Sequence, residues 1–124
     1  MSASDFRELE VWKKARVAAV TVYELTSNGP LSKDFELRDQ MRRAAISICS
    51  NIAEGNERHT DKDTIRFLYI AKGSAAEFLA QAEIARDVGI LDASVAGKLG
   101  ADCEEISRML RGLIKYREGA VEDV

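Results

Sequence analysis

Ser47, Asn51 and Glu54 stand at i, i+4 and i+7, and Ser74, Glu77 and Gln81 at i, i+3 and i+7. On a helix each set shares one edge. Two chemistries could follow. Glu54 and Glu77 could form a carboxylate pair for proton transfer or metal binding. Alternatively, the two edges meet as a hydrogen-bonded seam between antiparallel helices, with Gly73 marking a close backbone approach. The seam is the favoured reading. A di-metal bundle needs several inward carboxylates and Glu-x-x-His on two helices, and His59 is the one histidine in the chain. A seam of Ser47, Asn51, Glu54, Gly73, Ser74 and Glu77 would fix register, since each polar group left unpaired in a core costs about 1–3 kcal/mol.

Nothing else in the chain suggests catalysis. There is no G-x-S-x-G, no S-x-x-K and no glycine-rich phosphate loop. Cys49 and Cys103 lack a C-x-x-C arrangement, and each sits among apolar helical neighbours. They read as two buried, reduced thiols. No catalytic residue, metal ligand or cofactor is expected. The basic residues offer a different possibility. Arg42 and Arg43 are adjacent, Arg58 and Lys62 flank a turn, and Arg66 and Lys72 follow, while Lys13, Lys14 and Arg16 lie nearer the start. Gathered on one face they would bind phosphates with salt-sensitive affinity. Dispersed, they are solvated faces paired with Glu36, Asp39, Asp63 or Glu83, which is the expected arrangement.

The elements that would position these groups are helices. Leu9, Trp12, Ala15, Ala19, Val22 and Tyr23 recur at three- and four-residue steps, so a helix is predicted over about 8–25, capped by Ser4 or Asp5. Val11, Val17, Ala18 and Val20 make its apolar face wider than one partner would cover. Asn28-Gly29-Pro30 ends it. A second helix over about 33–54 takes Ser32 as its cap, runs through Leu37, Met41, Ala44, Ile48 and Ile52, and stops at Gly55. Thr60 and Asp63 resemble a capping box for a third, over about 61–88. Asp92 caps a fourth, over about 93–117, which Gly97, Gly100 and Gly112 weaken, with a frayed tail from Glu118. No stretch alternates in the manner of a strand.

The fold class predicted is all-α: one domain over 1–124, an antiparallel up-down-up-down four-helix bundle with short connections. Composition agrees, at 46% hydrophobic and 31% charged with one proline in 124 residues. A net charge of −3 exerts no global pull toward nucleic acid or anionic lipid. No apolar run is long enough to span a membrane, and Met1 to Asp5 lack the features of a signal peptide. The cytoplasm is the expected location.

Several segments together resemble a known family. They are Phe6-Arg7-Glu8-Leu9-Glu10-Val11-Trp12, Tyr23-Glu24-Leu25-Thr26, Gln40-Met41-Arg42-Arg43-Ala44-Ala45-Ile46-Ser47-Ile48, Asn51-Ile52-Ala53-Glu54-Gly55 and Phe67-Leu68-Tyr69-Ile70-Ala71-Lys72-Gly73-Ser74 with Glu77. In this order they resemble the proteins of 23S rRNA intervening sequences, over about residues 6–116. That family includes the accessory variability protein of diversity-generating retroelements. The resemblance implies a cytosolic bundle that assembles as a homopentamer, with a protein partner and no enzymatic activity. It also implies a second possibility, binding of RNA or DNA beside a reverse transcriptase or in an rRNA intervening-sequence setting. Arg42, Arg43, Arg58 and Lys72 occupy matching motif positions and are the candidates for such a surface. The sequence pI of about 5.3 contrasts with the strongly basic retroelement members.

Overall fold

Residues 5–122 are described by a computed structural model of the chain. Asp5 accepts from the Arg7 backbone N–H and opens a 3-10 turn, Phe6–Glu8. Four long helices follow, with one short one: α1 Glu10–Ser27, α2 Pro30–Lys33, α3 Phe35–Asn56, α4 Asp61–Asp87 and α5 Ala93–Glu122. No strand occurs among the described residues. The fold is all-α, and no described helix is long and apolar enough to cross a membrane.

Side-chain contacts fix which helices are neighbours. Arg42 Nε donates to Thr26 Oγ1 at 2.7 Å between α3 and α1. Ser47 Oγ meets Ser74 Oγ at 2.8 Å between α3 and α4. Arg117 Nη1 reaches Asp61 Oδ1 at 2.6 Å between α5 and α4, and Lys14 Nζ reaches Glu105 Oε1 at 2.7 Å between α1 and α5. Thus α3 and α5 each pack between α1 and α4, giving a four-sided arrangement.

The core falls into two clusters along the long axis. Val22, Leu31, Met41, Phe78 and Leu99 dominate one, and Val11, Ile48, Ile52, Leu68, Ile106 and Leu110 the other. Between these sit alanines, among them Ala15, Ala44, Ala45, Ala71, Ala75, Ala82 and Ala85, all buried. Such small residues let the helices approach closely and leave few side chains able to fill a void.

Helix boundaries depart from expectation at several points. Ser32 does not cap the second long helix. Gly29, at φ +75°, turns the chain into the separate short α2, whose first residue is Pro30. The long helix therefore starts later, with Asp34 Oδ1 accepting from the Leu37 N–H at 3.1 Å. Ser32 Oγ bonds instead to the Gly29 carbonyl. The first long helix begins at Glu10 rather than Glu8, because residues 6–8 take the 3-10 turn, and Ser4 lies outside the described residues. Gly55 does not stop α3. It is buried inside the last turn, where a Cβ would lie 3.1 Å from Phe67 Cβ. The last helix does not end near 117 but continues to Glu122, with Arg117 and Glu118 tied to α4 through Asp61 and Tyr69. Thr60 Oγ1 accepts from the Asp63 N–H, and Asp92 Oδ1 from the Ser94 N–H, both at 3.1 Å.

Candidate interaction surface

The polar edges of α3 and α4 meet in part. Besides the Ser47–Ser74 hydroxyl pair, the Asn51 amide donates to the Ser47 carbonyl at 2.8 Å and to Ser47 Oγ at 3.0 Å. Three of the six expected seam residues are thereby brought together. Glu54 and Glu77 are exposed, and Glu54 pairs with Arg58 at 2.6 Å. Gly73 is exposed as well, with nothing within 4 Å of an added Cβ, so the close approach falls at Gly55 instead. The reason is rotational: Gly73 and Glu77 lie about one helical position away from Ser74, on the outer face. Among the described residues no group of three or more His, Cys, Asp or Glu could hold a metal.

The same outer face of α4 carries what sequence reasoning missed. Ile70, Ile84 and Val88 are exposed, the last two by 54% and 63%. They line up with Gln81, whose side chain is 8% exposed and whose Oε1 is buried without a hydrogen-bond partner. An orphaned buried acceptor costs about 1–3 kcal/mol. Gln81, Ile84 and Val88 form one wall of a groove; Asp34, Glu36, Leu37 and Gln40 form the other. A second helical stripe at 77, 81, 84 and 88 was the available signal. It is hard to see because α4 also carries the stripe that faces the core.

The candidate basic residues do not gather on one surface. Arg42 is half-buried, bonded to Thr26 and stacked over the Tyr23 ring at 4.5 Å. Arg43 is exposed on the same α1–α3 face, in a shallow dish with Tyr23, Asp39 and Ile46. Arg58 lies over Phe67 at 4.6 Å and pairs with Glu54. Lys72 is half-buried in α4. Burial pushes the Cys49 thiol up to about 11 and the Cys103 thiol to about 12, so neither forms a reactive thiolate near neutral pH.

Charge also ties α1 to α5. The hydrogen bond from Lys14, and then its charge, hold the Glu105 carboxyl below its ordinary value; the same bond raises the Lys14 ammonium. A lowered folded value means that the Glu105 contribution is present above about pH 4.5 and is lost as pH falls through that lowered value. The Lys14 contribution is present below 10.5 and is lost as pH rises through the raised value. Wild-type chain should therefore lose more stability than Glu105→Gln between pH 7 and pH 3, by urea midpoint. The difference is small, because both side chains are well exposed. Equal acid losses would contradict the pairing.

These features define an all-α protein of four long helices with an unfilled outer groove and a partly formed polar seam. Comparison with known families then places it. The family model for 23S rRNA-intervening sequence protein matches residues 7–112, and the chain belongs to that family. It is also similar to a crystal structure from Bacteroides thetaiotaomicron, described as a protein with unknown function from the S23 ribosomal protein family. The two are 27% identical with a TM-score of 0.78, over 85% of this chain and 98% of that one. No curated protein matches.

Proposed function

We propose that this chain is a non-enzymatic, cytoplasmic interaction module that works as a homo-oligomer, a pentamer by family resemblance, with its helices in up-down-up-down order. The observation that carries the reading is the exposed apolar surface along the outer helix faces. Val17, Val20, Tyr23, Ile46, Ile70, Ile84 and Val88 all stand in solvent in the single chain. Apolar surface of this extent on a small domain marks a contact surface. Sedimentation velocity of the full chain at tens of micromolar should show an assembled species, at five times the 13.7 kDa chain mass for a pentamer. A single boundary at the chain mass across that range overturns the reading.

A second reading, nucleic-acid binding, is supported by Arg42 and Arg43 beside the Tyr23 ring. It requires binding to structured RNA that falls steeply with salt and weakens on Arg43→Glu. No mobility shift at low salt removes it.

A further inference from the structure

We propose that the α3–α4 groove is filled by a second copy of this chain, which seats its α1–α3 face there and donates from Arg43 to Gln81 Oε1 and Glu36. The proposal rests on the oligomeric reading above and names the two surfaces that meet.

The groove states what it will accept. Gln81 Oε1 is a buried acceptor without a donor, so the occupant must bring one. Leu37, Ile84 and Val88 supply apolar wall, Asp34 and Glu36 supply negative charge, and no basic residue lines it. The fitting occupant is therefore apolar with a cation at its edge.

The chain carries such a surface itself. On the α1–α3 face Tyr23 and Ile46 are exposed large hydrophobics, and Arg43 stands among them. Arg42 is already committed to Thr26 and Tyr23, which leaves Arg43 as the outward cation. A guanidinium has donors enough to serve an amide oxygen and a carboxylate together. The other faces fit less well. On α1–α5, Lys14 and Lys98 are spent on Glu105 and Asp102. The α4–α5 face has Arg108 and Arg111 but no exposed large apolar side chain.

The arrangement of the two faces matters too. They share α3 and so are adjacent sides of a four-sided molecule. A head-to-tail contact between adjacent sides turns at every step and closes into a small ring, whereas one between opposite sides would run on as a filament.

A charge swap followed by sedimentation velocity of the full chain tests this. Arg43→Glu alone and Glu36→Arg alone should each raise the concentration needed for assembly by about tenfold or more. The double variant Arg43→Glu with Glu36→Arg should restore assembly, and Arg108→Glu should leave it unchanged. All these positions are exposed, so helical circular dichroism should match wild type in each. Assembly indifferent to both single changes, a double variant that stays dissociated, or dissociation by Arg108→Glu overturns the assignment while wild type still assembles. A monomeric wild type overturns the oligomeric reading along with it.

Discussion

Phe78→Ala lowers the unfolding free energy by about 3–5 kcal/mol, the largest single loss expected in this chain. Phe78 is 1% exposed and lies in the core cluster with Val22, Met41, Leu31 and Leu99. Its other neighbours in the cluster include Ala44, Ala45, Ala82 and Ala85, which have no side-chain reach with which to fill the space left behind. Met41 alone is long and flexible enough to swing inward, and that relaxation sets where in the range the value falls. Since the total for a domain is about 5–15 kcal/mol, the variant should be close to the threshold of folding. Urea unfolding by circular dichroism at one fixed protein concentration measures it, because assembly would otherwise add to apparent stability. A loss below about 1.5 kcal/mol would mean that the alanine-lined core collapses onto the void.

The second large effect comes from a contrast between two helical glycines. At Gly55 a Cβ would lie 3.1 Å from Phe67 Cβ and 3.4 Å from the Thr64 carbonyl oxygen. Neither atom can rotate away, since one is fixed to the backbone and the other belongs to it. Thr64 Oγ1 also donates to the Gly55 carbonyl at 2.9 Å, which holds α3 and α4 at this separation. Gly55→Val therefore forces the two helices apart and costs about 1–3 kcal/mol. Gly73→Ala meets nothing and sits exposed in mid-helix, so it should stabilise by about 0.5–1 kcal/mol through the lower flexibility of the unfolded chain. Paired unfolding curves give both signs. The same sign for both substitutions would contradict the placement of the close contact at Gly55.

Sequence and structure part company at these same glycines. Gly73 was expected to mark a close backbone approach and Gly55 to end a helix, and the roles fall elsewhere. A glycine in a sequence shows only that a side chain is absent. Whether that absence serves a turn or a neighbouring helix depends on rotation about the helix axis and on what stands across from it. A related uncertainty affects the polar edge. Ser47, Asn51 and Ser74 meet, while Glu54 and Glu77 differ from them by a small rotation and end in solvent. Spacing alone does not resolve adjacent strips of a helix surface. The capping residues Thr60 and Asp92 were readable because a cap is a local bond spanning two or three residues. Ser32 was misread because Gly29 and Pro30 built an extra turn ahead of the long helix.

The repeat of apolar residues at helical pitch in four segments, separated by short polar links, determined an all-α chain from sequence alone. Periodicity is a property of neighbours a few positions apart, and those neighbours are written in order. Only the tertiary structure decided that Gln81 would be buried with its oxygen unpartnered beside Ile84 and Val88, and that Arg42 would be absorbed by Tyr23 and Thr26 while Arg43 stayed outside. Those outcomes depend on which helix lies opposite and at what rotation, and the packing of distant segments sets both.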